Sequence, residues 1–106
     1  MAQGLTTDVP EPLASHRGAV EGLCRRYQVS RLALFGSASR EEAREDSDLD
    51  LLVFFQPGHT PGMAFFEFQE ALHDLLGRPV DLNTPEDLSR LFRDQVLREA
   101  RVVYEV

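Results

Sequence analysis

Residues 48–55 read Asp-Leu-Asp-Leu-Leu-Val-Phe-Phe, and no other segment limits the possible folds as strongly. Leu51 to Phe55 run without a polar break, which predicts a strand over 48–55 covered on both faces. Asp48 and Asp50 stand at i and i+2 in that strand, so both side chains point to one face. Their Cα atoms would lie roughly 7 Å apart. Two carboxylates at that spacing can converge on a pair of cations about 4 Å apart. Buried without partners they would be costly, and bound Mg²⁺ would supply the partner. An Asp-x-Asp pair at a strand's start can equally be two solvated residues. A calcium loop beginning at Asp46 is rejected: its sixth position is Leu51 rather than Gly and its twelfth is Pro57 rather than Glu.

The segments around this strand alternate between helical and extended patterns. Residues 1–10 read as a flexible N-terminal segment, and 11–106 as one domain, the size expected of 106 residues. Leu13, Val20, Leu23, Cys24 and Tyr27 recur at helical spacing over Glu11 to Tyr27, with His16 on the same stripe as a packed residue. Arg31 to Phe35 predicts a strand, ended by Gly36-Ser37, and Ala38 to Arg44 a helix. Gln56 to Gly62 is a loop, with His59 exposed in it. Met63 to Leu76 is the clearest helix, stopped by Gly77. Pro79 to Leu82 reads as a strand. Thr84-Pro85-Glu86-Asp87 opens a helix that runs to Ala100 with a break near Phe92, and Arg101 to Val106 forms a closing strand. The alternation predicts an α/β fold, a small mixed sheet with helices packed on it.

Two more features could carry chemistry. Gly36-Ser37, with Arg40 one turn later, lies where a strand meets a helix N-terminus, a place that favours anions. Its plainer reading is an ordinary glycine turn with Ser37 as helix cap. Asp81 interrupts the short apolar strand Val80-Asp81-Leu82, either as a third carboxylate beside the first two or as an edge residue facing water. In order, the chain offers a phosphate cradle and three carboxylates on neighbouring strands, the parts of two-metal nucleotidyl transfer.

Charge and cysteine content narrow the classes. The net charge of -7, from 18 acidic and 11 basic residues, argues against a duplex nucleic-acid partner. All the basic residues are arginine. A single cysteine, Cys24, leaves no internal disulfide and no multi-cysteine zinc site. With no signal peptide and no apolar run of transmembrane length, the expected location is cytoplasmic, with no membrane association.

From Arg31 to Val106 the chain resembles the minimal nucleotidyltransferase family of the DNA polymerase β-like superfamily. The resemblance rests on Gly36-Ser37 with Arg40, on Ser47-Asp48-Leu49-Asp50-Leu51-Leu52, on Val80-Asp81-Leu82, and on the tail Val96-Leu97-Arg98-Glu99-Ala100. It implies a polymerase β-like palm fold, with Asp48, Asp50 and Asp81 catalytic and ligating two Mg²⁺ ions. Gly36, Ser37 and Arg40 would bind the nucleoside triphosphate, ATP. The family often has Arg after Gly-Ser, where this chain has Ala38, and Gly after the later Arg, where it has Glu41. Many relatives are antitoxins paired with a HEPN-type toxin, and some silence it by transferring AMP to a tyrosine. The implied function is therefore Mg²⁺-dependent AMP transfer to a hydroxyl on such a partner. The rival readings are a non-catalytic antitoxin that only masks its toxin, and an aminoglycoside-like enzyme acting on a small molecule. The chain is too short to hold the second domain such an enzyme usually carries.

Overall fold

In a computed structural model, the structure describes residues 4–5, 9, 11–35, 48–58 and 62–105. Strand β1 is Gly4–Leu5. A 3₁₀ turn at Ala14–His16 leads into α1, Arg17–Arg26, and β2 is Val29–Phe35. Then come β3, Leu49–Phe55; α2, Met63–Leu76; and β4, Val80–Asn83. A second 3₁₀ turn at Pro85–Asp87 precedes α3, Arg90–Glu99, and β5, Arg101–Glu105. The strands form a five-stranded sheet in the order β1-β5-β2-β3-β4. β3 and β4 are parallel and the other pairings antiparallel, so the predicted mixed sheet is observed.

The core lies on one face of this sheet. Leu32, Leu34, Leu49, Leu51, Val53 and Leu82 turn to it, alternating along their strands as a two-residue period requires. Val20 and Cys24 of α1, and Phe68, Leu72 and Leu76 of α2, close over them. Tyr27 meets the Phe68 ring at 5.4 Å between centroids, in a tilted arrangement. Buried Leu13 packs ahead of α1, and His16 Nδ1 lies 3.0 Å from the Pro12 carbonyl, as a packed residue rather than a ligand. Gly77 ends α2 in the left-handed conformation, φ 70°, and its N–H donates to the His73 carbonyl.

The opposite face carries Asp50, Leu52 and Phe54 from β3, beside Phe35, Ala33 and Arg31 of β2. Leu52 and Ala33 are also buried there, so the middle of β3 is covered on both faces as its apolar run predicts. The connections β3-α2-β4 and β4-α3-β5 cross the sheet in opposite directions between parallel strands. The right-handed rule for such crossovers assigns α2 and α3 to opposite faces.

Three elements differ from the sequence reading. Gly4–Leu5, inside the segment read as a loose lead-in, pairs with Tyr104 and Glu105. The regular helix begins at Arg17 rather than Glu11, because Glu11 to His16 are taken up by a turn and a 3₁₀ turn. The break in the next helical stretch falls at Leu88 and Ser89, not near Phe92. Thr84 and Asp87 close a capping box around Pro85–Asp87, and Ser89 then caps α3 by accepting from the Leu91 N–H.

Candidate active site

The parallel register of β3 and β4 decides which acids meet. Asp50 stands opposite Asp81, with Leu49 opposite Val80 and Leu51 opposite Leu82. The leucines and the valine turn to the core, so both aspartates turn to the other face. Asp50 is half-buried, while Asp48 and Asp81 are exposed. The Asp50 and Asp81 carboxyl groups lie close enough to share a hydrogen bond when one of them is protonated.

The Asp50 pKa is raised above the ordinary aspartate value. Burial is the largest cause, followed by the Asp81 charge, the hydrogen bond to Asp81 and the charge of Asp48. Asp50 thus feels the charge of both other acids named from the sequence. Among the described residues, no three His, Cys, Asp or Glu side chains converge closely enough to enclose an ion by themselves. Asp48 stands just outside β3, one step back from the touching pair. Two carboxylates in contact hold charge that a proton or a hard cation can neutralise, and oxygen-only donors suit Mg²⁺. The residues present fit a divalent cation.

On its other side Asp50 is paired with Phe35, the last residue of β2. Gly36 follows Phe35 directly in the chain. Gly36, Ser37 and Arg40, named as triphosphate ligands, lie outside the described residues, as do Ser47, His59 and the helix expected over Ala38 to Arg44.

A second surface adjoins the loop after β3. A cleft of about 590 Å³ is lined by Phe54, Phe55, Pro57, Phe65 and Pro85 among others, at the far end of β3 from Asp50. Large apolar side chains are exposed in the first turns of two helices: Met63 at 73% and Phe66 at 57% on α2, Leu91 at 87% and Phe92 at 59% on α3. Sequence periodicity marked α2 as a core helix but could not show that its first turn overhangs the core.

The description "Nucleotidyltransferase domain" fits residues 16–104 of this chain. The chain belongs to that family. Protein adenylyltransferase MntA of Thermococcus cleftensis is 38% identical over 105 residues, covering 98% of this chain and 99% of the relative. A relative from Methanocaldococcus jannaschii, also named as a protein adenylyltransferase, is 39% identical over 77 residues, 72% of this chain and 74% of its own. A solved structure described as a minimal nucleotidyltransferase superposes with a TM-score of 0.72 at 45% identity, covering 90% of this chain and 96% of that one. A toxin–antitoxin complex solved with AMP-PNP shares the fold, with a TM-score of 0.68 at 23% identity over 84% of this chain and 73% of that one. The resemblance, the fold and the enzyme class expected from the sequence are thus borne out: the chain is a minimal nucleotidyltransferase. No helix among the described residues is long and apolar enough to cross a membrane.

Proposed function

We propose that this nucleotidyltransferase transfers AMP from ATP to a hydroxyl of a helical partner protein, a tyrosine of a HEPN-type toxin, and so acts as its antitoxin. The observation that carries the reading is the register pairing of Asp50 with Asp81, which sets two carboxylates side by side on the sheet face away from the core. Two relatives carry protein adenylyltransferase in their names, and one covers almost the whole of this chain. The exposed Met63, Phe66, Leu91 and Phe92 are the kind of apolar surface a protein partner covers.

In this reading Asp48, Asp50 and Asp81 hold two Mg²⁺ ions, and Gly36, Ser37 and Arg40 receive the triphosphate. Bound there, the ions supply Lewis acidity: they neutralise phosphate oxygens and lower the acceptor hydroxyl's pKa. Asp50 is the half-buried, fixed member of the cluster. Exposed Asp81 faces the incoming hydroxyl and accepts its hydrogen bond, aligning the oxygen with the α-phosphorus. The hydroxyl gives its proton to the Asp81 carboxylate as its oxygen bonds to that phosphorus; the bond from the α-phosphorus to the α–β bridging oxygen breaks, and pyrophosphate leaves with that oxygen. The partner's surface closes the site and keeps out water, which would otherwise compete as the nucleophile.

The position of a radiolabel distinguishes the chemistry. Incubation with Mg²⁺, a HEPN-type partner and ATP labelled at the α-phosphorus should label the partner, while ATP labelled at the γ-phosphorus should not. Labelling from the γ-phosphorus would mean phosphoryl transfer. Tight, inhibitory binding with no label from either would mean masking alone.

A further inference from the structure

Among the described residues β4 is the last strand of the sheet, and one of its sides has no neighbouring strand there. An edge strand leaves every second N–H and C=O without a ladder partner. The Leu49 N–H donates to the Pro79 carbonyl, which turns the main chain of Pro79, and two residues on that of Asp81, toward β3. The Leu82 N–H therefore points to the free edge. It is not left open: the Gln69 side chain of α2 accepts it through Oε1 at 3.0 Å. That N–H and the Asp81 carbonyl belong to the same peptide plane. The carbonyl end is held too, accepting from Asn83 Nδ2 at 3.3 Å.

The plane following Asp81 is thus gripped at both ends, and its tilt sets the Asp81 ψ angle. Because the peptide unit is rigid, that angle governs where the Asp81 Cα–Cβ bond aims. Leu82, next along, is fixed in the core beneath α2. We propose that Gln69 is a positioning residue: it stands in for the missing strand at the edge of β4 and so holds the Asp81 carboxylate against Asp50. Gln69 comes from α2, which packs on the core, and reaches the edge of β4 rather than the face that carries Asp50 and Asp81. The inference rests on the reading of Asp50 and Asp81 as a cation-binding pair.

The test uses the full chain and Mn²⁺ as the probe, with binding read by electron paramagnetic resonance. Gln69→Met keeps the volume and loses the acceptor; Gln69→Glu keeps an acceptor oxygen at the same reach. Gln69→Met should melt close to the unaltered chain, exchange its Leu82 amide proton faster, and bind Mn²⁺ about tenfold more weakly or worse, as expected on losing a group that orients a metal ligand. Gln69→Glu should restore both the slow exchange and the affinity. Gln69→Ala replaces the methionine variant if that one fails to fold. Asp81→Asn separates the two levels of the argument. If Asp81→Asn leaves Mn²⁺ affinity intact, the cation-site reading fails and this proposal with it. If Asp81→Asn weakens binding but Gln69→Met does not, only the positioning role is overturned.

Discussion

Asp50 and Asp81 face each other across the one parallel strand pair of the described sheet, with their carboxylates in contact. The antiparallel partner of Asp50 on its other side is Phe35, which offers no charge to offset them. The pair is held together by the backbone against its own repulsion, and several consequences can be measured.

Removing that repulsion should stabilise the fold when no divalent cation is present. Asp50 has a raised folded-state pKa, chiefly from burial and then from Asp81. Its contribution to stability is therefore full below the ordinary aspartate value and is lost as pH rises through the folded-state value. At neutral pH with a chelator, Asp50→Asn should melt a few degrees higher than the unaltered chain, and the gap should close as pH falls toward 4. Added Mg²⁺ should raise the melting temperature of the unaltered chain only. A variant that melts lower at neutral pH would argue against strain in the pair.

Cys24 should resist thiol reagents in the native protein. Burial pushes its pKa up to about 12, so almost no thiolate is present near pH 8. Tyr104, also in the core, is raised by burial first and by Cys24 next. Both groups contribute stability below their ordinary values that is lost as pH rises through the raised ones, so alkaline unfolding should set in above pH 9. Labelling with a chromogenic disulfide should be slow at pH 8 and fast in urea. Cys24→Ala should flatten the alkaline loss. Rapid labelling without denaturant would contradict the packing of α1.

Gly77→Ala tests the end of α2. The position has φ 70°, and a Cβ added there meets nothing within 4 Å. The cost is purely that of the left-handed backbone, about 1 kcal/mol, or roughly 4–8 °C for a domain of this size. No change in melting temperature would mean that the turn rearranges.

The apolar overhang should matter to the partner and not to the fold. Met63 and Phe66 are largely exposed, so Phe66→Ser should leave the melting temperature nearly unchanged while weakening association with a HEPN-type protein in calorimetry. Unchanged affinity would move the interface elsewhere.

Much of this arrangement was legible in the chain because it follows period and punctuation. The Asp-x-Asp strand, the lone Asp81 between apolar neighbours, the amphipathic α2 and its stop at Gly77 are all local patterns. The pairing of Asp50 with Asp81 needed register, which the alternation of core leucines on β3 and β4 enforces but which neither segment specifies alone. β1 was missed because two residues cannot show a period; Gly4 and Leu5 are strand only because β5 offers an edge. The break at Leu88 and Ser89 was misplaced because two caps, Thr84 and Ser89, compete within five residues, and only packing decides between one helix and two. Gln69 carried no signal at all: its amide matters only where α2 passes the edge of β4. The roles of Gly36, Ser37 and Arg40 remain expectations from the resemblance, since they lie outside the described residues.

The most direct test of the central claim is the intact mass of a HEPN-type partner after incubation with this protein, ATP and Mg²⁺. The account predicts a gain of one or more AMP units, mapped by fragmentation to a tyrosine and abolished by Asp48→Asn, Asp50→Asn or Asp81→Asn. A partner that is bound and inhibited at unchanged mass, or a mass gain that survives all three substitutions, would contradict it.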